Sequence, residues 1–357
     1  MNIDKEKARR LIRWSKGIPT PPSRIILFPT NYCNQRCRFC ASSNKNDILV
    51  KDELEEYHIR KIVKEAKDLG VLEWKIVSGG EPLFKKYTFE LMELIKADKM
   101  FGLLNTNGTL FTDEKIRKLI EMGWDEIWFS IEGSNAKIHD YHTQVNGSFK
   151  KAINAIKLFN FYKKNFGKEL PKILITTTIT NRNYFSIPKI IKFARKYCEG
   201  IILQKLDVYN EEGRKLELNE KQYNEFILNM KKIEKVLEKD GFINNLKHIL
   251  EEKRQEENKK IDNKNLLSSI CFSPWYTILI YPNGKVTYCC AVPLEMINDN
   301  DPDAKKNSLK SIWYGKNFNE IRKNLLKRFI DKKVCDYCFE GLIDENENLS
   351  NNLKKYR

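Results

Sequence analysis

The sequence predicts an α/β protein built on a parallel sheet. Two observations predict it: six short apolar segments alternate with amphipathic helical segments, and turn residues bound the apolar ones. Repeated strand–helix units of this kind form a parallel sheet with right-handed crossovers. Six units are too few for a complete eight-unit barrel, so an open, partial barrel and a doubly wound sheet are the two architectures that remain.

The elements follow in order from the amino terminus. A short basic helix is predicted over residues 1–16, and the proline-rich segment 17–23 ends it. The predicted strands cover residues 24–28, 73–77, 101–104, 126–129, 173–179 and 201–206. The predicted helices between them cover residues 54–69, 89–97, 113–122, 149–161 and 187–197.

The pattern changes after Val208. Two charged helices are predicted over 216–256, followed by a polar linker over 257–265. Pro282-Asn283-Gly284 is a hairpin signal between predicted strands, a helix is predicted over 309–329, and the polar end of the chain is expected to fray. The predicted division is an N-terminal helix and linker, a core, a helical connection, a small α+β domain and a polar tail, over residues 1–23, 24–210, 211–265, 266–340 and 341–357.

Composition and charge exclude several classes of protein. The 357 residues are 41% hydrophobic, which excludes a wholly disordered chain, and no apolar run is long enough for a membrane span. No apolar signal segment opens the sequence, so a cytoplasmic location is expected. The net charge of +16 is typical of a solvated surface or of an acidic partner. Without an arginine-rich arm, a classical zinc finger or an RNP-type motif, nucleic acid is an unlikely partner.

Three of the nine cysteines stand directly after the first predicted strand. Cys33, Cys37 and Cys40 have C-x3-C-x2-C spacing, which lets three thiolates converge on one inorganic centre, an iron–sulfur cluster or zinc. Structural zinc normally has four protein ligands, so three cysteines indicate an open coordination position. On an iron–sulfur cubane that position is where a small molecule can bind.

This loop resembles the hallmark of the radical SAM superfamily, with Phe39 as the aromatic residue before the last cysteine. The resemblance implies a partial (β/α)6 TIM-like barrel. It also implies that the three cysteines hold a [4Fe-4S] cluster whose fourth iron is chelated by S-adenosylmethionine (SAM). In that family an electron from the cluster cleaves SAM to methionine and a 5′-deoxyadenosyl radical.

Further motifs follow the next predicted strands. Ser78-Gly79-Gly80-Glu81-Pro82 resembles the family's GGEP motif, which holds the amino group of SAM, although a lone Gly-Gly is usually only a turn. Asn105-Thr106-Asn107-Gly108 resembles its TNG run, but an N-capping turn explains that run equally well. Ser130-Ile131-Glu132-Gly133 is similar to a run near the SAM ribose and carboxylate, with Glu132 where Asp is usual. The cofactor-binding residues that the resemblance implies are Phe39, Gly79, Gly80, Glu81, Pro82, Asn107 and Ser130.

Three further polar residues are weaker candidates. His139 and His142 have the spacing of one helical face, and a solvent-facing or capping role is favoured over metal binding. Asn181 follows the fifth strand and is either a turn residue or a contact to SAM or substrate.

A second set of cysteines lies in the C-terminal domain. Four thiolates, from Cys271, Cys289, Cys335 and Cys338, would complete a four-cysteine zinc site or a [4Fe-4S] cluster. The arrangement resembles the SPASM/Twitch extension of radical SAM enzymes and, with no cysteine after Cys338, its shorter form with one auxiliary cluster. Cys290 is an alternative ligand to Cys289, and Cys198 is expected to be a core residue.

The resemblance implies an enzyme that uses SAM and two [4Fe-4S] clusters. We expect the 5′-deoxyadenosyl radical to abstract a hydrogen atom from a small molecule, in an oxidation assisted by the auxiliary cluster. The first alternative is modification of a ribosomal peptide, and an alternative of another class is a non-catalytic iron–sulfur or zinc protein that binds nucleic acid. The basic surface predicts an acidic electron donor such as flavodoxin or ferredoxin.

Overall fold

The computed structural model describes residues 2–41, 52–77, 79–237, 241–250, 271–290, 292, 297, 300–327, 345–346, 348–351 and 353. The strands are β1 (Arg24–Leu27), β2 (Glu73–Ile76), β3 (Phe101–Thr106), β4 (Glu126–Ser130), β5 (Lys172–Thr178), β6 (Gly200–Gln204), β7 (Ile243–Asn244), β8 (Thr277–Ile280) and β9 (Val286–Thr287). The main helices are α1 (Ile3–Ser15), α2 (Glu56–Leu69), α3 (Thr88–Ala97), α4 (Asp113–Glu121), α5 (Ala136–Thr143), α6 (Ser148–Phe166), α7 (Ile187–Tyr197), α8 (Glu211–Arg214), α9 (Glu220–Leu237), α10 (Leu309–Trp313) and α11 (Lys316–Leu326).

All of these strands belong to one sheet. Its order is β7-β6-β5-β4-β3-β2-β1-β8-β9, and every neighbouring pair is parallel except β8 with β9. Because β1 to β6 stand beside one another in chain order, the sheet curves as a partial barrel, and the doubly wound alternative is wrong. The predicted α/β class and partial barrel are confirmed.

The predicted hairpin is confirmed, but its position in the sheet was not foreseen. Gly284 has a φ of +84° in the turn between β8 and β9. Strand β8 pairs in parallel with β1, with Arg24 opposite Thr277. The C-terminal hairpin therefore extends the barrel sheet. The predicted domain boundaries remain a prediction.

Some helices differ from the predicted ones. The helix predicted over 309–329 is interrupted at Gly315, whose extended backbone separates α10 from α11. Helix α5 was missed because it is only eight residues long and has little apolar periodicity. Helix α9 lies within the predicted segment 216–256, and the predicted linker over 257–265 lies outside the described residues. Within the part of the chain that the structure describes, every helix is too short or too polar to cross a bilayer.

The two faces of the sheet have different surroundings. On β2, Trp74 and Ile76 are fully buried in the main core between the sheet and the helices. The alternate residues of a strand point to the opposite face, which here is the inside of the barrel, called the lumen below. Ile26, Leu279 and Tyr281 form a separate small apolar cluster there. The lumen therefore has its own packing, distinct from the main core.

A network of charges closes the N-terminal end of the lumen. Arg24 donates from Nε to Glu73 at 2.6 Å and from Nη1 to Glu345 at 2.6 Å. Lys7 of α1 lies 2.6 Å from the Glu73 carboxylate and 3.4 Å from that of Glu345. Both arginine and lysine side chains are buried, so each cation is matched by hydrogen-bonded carboxylates rather than by water.

The prediction that the polar tail frays is wrong for its described residues. Glu345 is held by Arg24, and Asn346 accepts a hydrogen bond from the Phe272 backbone at 2.7 Å. Leu349 is buried in a cluster with Leu11 and Trp275. Contacts this distant in sequence leave no local periodic signal.

Candidate functional site

The first cysteine loop lies at the C-terminal edge of the sheet, directly after β1. It is fastened to α5, since the backbone N–H groups of Arg36 and Arg38 donate to the carbonyls of Thr143 and His142 at 3.1 and 3.0 Å. Gln144 also donates to the Arg36 carbonyl. Helix α5, which the sequence analysis missed, thus sets the course of the loop.

The three cysteines of this loop are half-buried thiols outside any disulfide, and they interact electrostatically with one another. Burial, with smaller contributions from the neighbouring Glu81 and Cys40, raises the pKa of Cys33 to about 11. Burial also raises the pKa of Cys37 well above its ordinary value, with added contributions from Cys40 and Glu132. The loop therefore gathers three thiols at a place where an uncompensated thiolate is unfavourable and a bound cation would stabilise it.

The three thiols fit a [4Fe-4S] cubane in which three irons have a cysteine ligand and the fourth iron has no protein ligand. Three thiols on one short loop supply three ligands, and the glycine turn described next brings backbone rather than side chains against that loop. Among the described residues, no three His, Cys, Asp or Glu side chains converge on a single-ion site. A [4Fe-4S] cluster does not require that, because each thiolate binds a different iron.

Gly79 and Gly80 pack directly against the cysteine loop. A Cβ on Gly80 would lie 1.9 Å from the carbonyl oxygen of Tyr32, and one on Gly79 would lie 2.7 Å from the Asn31 side chain. Next to them the Glu81 N–H donates to that same Tyr32 carbonyl at 2.7 Å. Only glycine allows the two backbones to approach this closely.

The Glu81 carboxylate joins two loops of the site. It is buried and accepts hydrogen bonds from the Thr106 hydroxyl at 2.6 Å, from the Asn107 N–H at 2.8 Å and from the Leu83 N–H at 3.1 Å. The sequence analysis expected it to accept from an ammonium group, but three of its roughly four acceptor positions are used within the protein. Pro82, also buried, begins the short 3-10 helix that follows.

Asn107 and Ser130 lie in different parts of the site. The Asn107 amide donates to Asn34 at 2.8 Å and lies 3.9 Å from the sulfur of Cys33, so the third predicted motif directly contacts the cysteine loop. Ser130 ends β4, and its hydroxyl is 3.5 Å from the Asn105 side chain. The structure thus brings Asn107 to the thiols and places Ser130 among the lumen residues.

Phe39 packs beside His142, with ring centroids 6.0 Å apart. The two nitrogens of His142 are bonded to the Ile138 carbonyl and the Thr180 hydroxyl, both at 2.8 Å. His142 is therefore a buried structural residue beneath the loop, and because His139 is buried as well, the solvent-facing role expected for the two histidines is wrong. Asn181 donates to the Lys215 carbonyl at 2.9 Å, consistent with its interpretation as a turn residue.

Glu132 is a residue to which the sequence analysis assigned no role. Its carboxylate is buried close to Cys37 and accepts from the Thr178 N–H at 2.8 Å. Burial raises its pKa to about 8. A protonated carboxyl is therefore the stable form in this pocket at neutral pH. The signal that could have found it is its place directly after the fourth strand.

His139 is hydrogen-bonded to the backbone of Glu132. Its Nδ1 accepts from the Glu132 N–H at 3.0 Å, and its buried Nε2 has no hydrogen-bond partner among the described atoms. Burial lowers its pKa from the ordinary 6.5 to about 4. Protonation would also place a second hydrogen against the Glu132 N–H. The folded state therefore holds His139 neutral.

This arrangement predicts a pH-dependent loss of stability. Between pH 6.5 and 4 the unfolded chain binds a proton at His139 and the folded chain does not, so stability falls as pH falls through that window, by about 3 kcal/mol. The His139→Gln variant, which cannot titrate, should lack this part of the loss. Urea unfolding of the cluster-free wild type and variant at pH 7, 6, 5 and 4 checks it. Parallel stability curves would contradict the assignment.

The second cysteine set is only partly described. Cys271, Cys289 and Cys290 are not in disulfides; Cys289 is buried and hydrogen-bonded to Cys290, which lies against the lumen cluster of Ile26, Leu279 and Tyr281. Cys335 and Cys338 lie outside the described residues. The four-cysteine auxiliary site, and the choice between Cys289 and Cys290 as its ligand, therefore stay predictions. Cys198, half-buried against the main core, agrees with its expected packing role.

Two family models match the chain, and each matched segment contains one of the two cysteine sets. The Radical SAM superfamily model matches residues 27–194, and the SPASM iron–sulfur cluster-binding domain model matches residues 271–339. This chain belongs to the radical SAM superfamily. As a radical SAM protein with a SPASM domain, it has SAM, a SAM-binding [4Fe-4S] cluster and an auxiliary cluster as its cofactors.

Curated relatives match about half of this radical SAM protein. It is 29% identical over 180 residues to the AdoMet-dependent heme synthase of Methanosarcina barkeri, a match covering 50% of this chain and 48% of that protein. It is 26% identical over 178 residues to the mycofactocin maturase MftC of Mycolicibacterium smegmatis, covering 50% and 43%. The chain thus spans about half the length of the curated relatives it matches.

Solved structures share its fold over more of its length. Streptococcus suis SuiB bound to S-adenosylmethionine matches with a TM-score of 0.67 and 19% identity, covering 88% of this chain and 71% of that one. The protein anSMEcpe, bound to AdoMet and a peptide designated Cp18Cys, matches with a TM-score of 0.64 and 17% identity, covering 94% and 100%. At these identities the likeness establishes the radical SAM fold.

Proposed function

We propose that this chain reductively cleaves SAM and abstracts a hydrogen atom from a substrate held in the barrel lumen. The observation that carries the proposal is the meeting of Cys33, Gly80 and Asn107 at one edge of the sheet, although they lie on three loops. The cluster and SAM supply the chemistry, namely an electron that cleaves the sulfonium to methionine and a 5′-deoxyadenosyl radical.

The chain's own residues have binding and positioning roles in this proposal. Glu81 fixes the glycine turn to the Asn107 loop, so the backbone groups of both face the cysteine loop in one arrangement. Asn107 donates toward the Cys33 sulfur, which favours the thiolate form of that ligand. Ser130 and Phe39 are the remaining candidates for SAM contacts. The lumen beneath this edge is the space in which a substrate meets the radical.

The finer proposal is a two-electron oxidation of a small molecule. Loss of a hydrogen atom leaves a substrate radical, and loss of one electron and one proton from that radical completes the oxidation. The auxiliary cluster of the SPASM domain is the acceptor proposed for that electron, and the proton goes to solvent. Peptide modification is the second candidate, supported by the likeness to a relative named as a maturase.

The proposal is tested without knowing the substrate. Reconstituted enzyme, SAM and dithionite are incubated anaerobically in H2O with extract from cells grown in D2O, divided into small-molecule and peptide fractions. Deuterium in 5′-deoxyadenosine from the small-molecule fraction is the expected result, and deuterium from the peptide fraction alone would favour peptide modification. The absence of 5′-deoxyadenosine from every fraction, with full iron loading and bound SAM, would overturn the proposal.

A groove beside the cysteine loop supports the proposed acidic electron donor. Its volume is about 630 Å3, and it is lined by Arg38, Gln144, Asn146 and four residues of α5, namely Ala136, Lys137, Asp140 and Tyr141. The guanidinium groups of Arg38 and Arg182 lie 4.5 and 5.3 Å from the centre of the Tyr141 ring. Lys137 and Arg182 are exposed. An acidic carrier docked here would lie next to the loop that ligates the cluster.

Reversing two of these charges should slow delivery of electrons. The Lys137→Glu/Arg182→Glu variant is expected to lose roughly tenfold in the rate of cluster reduction by reduced flavodoxin at low salt, because steering depends on charge complementarity. Stopped-flow absorbance measures that rate. The rate with dithionite should not change. A Lys310→Glu/Lys323→Glu variant, with the same change of charge on α10 and α11, is the control. Equal flavodoxin rates in all three proteins would reject this docking face.

A further inference from the structure

Lys75 is a cation on the lumen side of the sheet. Its neighbours in β2, Trp74 and Ile76, are buried in the main core, so strand alternation turns Lys75 to the opposite face. In the sheet register it lies between Ile26 of β1 and Leu103 of β3, both apolar and buried. A lysine in the middle of a strand, between two apolar side chains, is an uncommon feature of a barrel interior.

The carboxylates nearest to Lys75 are bonded to other groups. Glu73 and Glu345 are bound by Arg24 and Lys7 in the network at the N-terminal end. Across β3, the Glu126 carboxylate accepts from the Trp128 indole at 3.1 Å. Within the described part of the chain, no acceptor lies within hydrogen-bond or ion-pair distance of the Lys75 amine.

Several charged groups surround this part of the lumen. The cations are Arg24, Lys7 and Lys75, and the carboxylates around them are Glu73, Glu345, Glu126 and Asp4, the last 3.8 Å from Lys7. Burial raises the pKa of Glu126, and its carboxylate is bonded to the Trp128 indole rather than to Lys75. Burial, together with the nearby Arg24, lowers the pKa of Lys75. Lys75 is therefore a lumen cation beside apolar side chains that has no ion-pair partner among the described residues, and an anionic ligand would supply one.

We propose that Lys75 binds an anionic group of the substrate, a carboxylate or a phosphate ester, inside the lumen. The inference rests on the proposed function. Gly79 of the glycine turn comes four positions after Lys75, a distance of at most roughly 13 Å at the rise of an extended chain. A molecule anchored at Lys75 can therefore lie along Ile26 and Leu103 and present a carbon near the cysteine loop. The substrate class is thus an anion with an apolar body.

The test uses benzoate and phenyl phosphate as probes and neutral benzamide as their control. Reconstituted enzyme is acetylated with acetic anhydride under argon, and modification of Lys75 is measured by peptide mass spectrometry. We expect benzoate or phenyl phosphate to protect Lys75 saturably, by about fivefold or more, and benzamide not to protect it. The stronger of the two anions identifies the head group. If neither benzoate nor phenyl phosphate protects Lys75 saturably, the proposal is overturned. This test uses only the wild-type protein.

Variants give a second, independent readout. Saturation-transfer NMR of benzoate or phenyl phosphate should show binding by the wild type and by Lys75→Arg, and loss of roughly tenfold in affinity for Lys75→Met. Lys172→Met, at the exposed start of β5, is the matched control and should bind like the wild type. Equal affinity in Lys75→Met and wild type would overturn the proposal.

The wild type and the Lys75→Met variant also distinguish the proposed role of Lys75 from an alternative one. Lys75 also acts electrostatically on Cys290, so it could be a counter-charge for the auxiliary cluster. A shifted reduction potential of that cluster in Lys75→Met, with benzoate and phenyl phosphate binding unchanged, would establish that role and overturn ours. Formation of 5′-deoxyadenosine in the absence of substrate is measured alongside. If wild type and Lys75→Met both cleave SAM and neither binds the anions, the proposed function stands and only the Lys75 inference fails.

Discussion

Replacing Cys33, Cys37 and Cys40 together by alanine is expected to reduce SAM cleavage below detection. Each thiolate holds one iron of the cluster, and no other described side chain stands where it could replace three of them. Iron should fall from about eight to about four per chain if the auxiliary cluster is a second [4Fe-4S] centre. The readouts are 5′-deoxyadenosine formed with dithionite, and iron and sulfide content after anaerobic reconstitution.

Cys198→Ala is the matched control for this variant. Cys198 is half-buried beside α7, and burial raises its pKa, so it is an unreactive packing thiol far along the chain from either cysteine set. It should keep full iron and full cleavage. Cleavage by the triple variant would overturn the assigned cluster site. Loss of all iron in that variant would contradict an independent auxiliary cluster.

The sequence predicted those parts of the site whose residues lie close together in the chain or follow successive strands. Cys33, Cys37 and Cys40 share one loop, and the Gly79-Gly80 turn follows the next strand, so spacing and order were sufficient to bring them to one edge of the sheet. The regular alternation of strands and helices predicted the parallel sheet but left its strand order open between two architectures, and the family resemblance implied the partial barrel. The family models confirm the family that these motifs indicated.

The parts that sequence reasoning missed depend on distant contacts. Strand β8 pairs with β1 across some 250 residues, and nothing in either strand specifies its partner. Glu345 binds Arg24 from a segment with no apolar periodicity. Lys75 lies between apolar neighbours, and only the assembled structure shows that the nearby carboxylates of Glu73 and Glu345 are bonded to Arg24 and Lys7 instead. Such properties belong to the assembled lumen rather than to any single segment.

The substitution Gly80→Ala, a change of one methyl group, should also have a large effect. The added Cβ would lie 1.9 Å from the Tyr32 carbonyl oxygen and 2.7 Å from the Asn31 carbonyl carbon, both of them backbone atoms that cannot rotate away. The two loops must separate, and the 2.7 Å hydrogen bond from Glu81 N–H to that carbonyl is lost. Because Tyr32 directly precedes Cys33, the displacement reaches the first thiol. We expect SAM cleavage to fall by about a hundredfold, in keeping with the effect of an ångström-scale misplacement.

Gly167→Ala separates this effect from the general cost of replacing a glycine. Gly167 ends α6 with a φ of +61°, and a Cβ there would meet no atom within 4 Å. Its replacement should cost about 1 kcal/mol of stability and leave cleavage unchanged. Cleavage, iron content and SAM affinity are compared in both variants. If Gly80→Ala cleaves SAM as well as Gly167→Ala does, the close contact of the glycine turn with the cysteine loop is not what positions the SAM site.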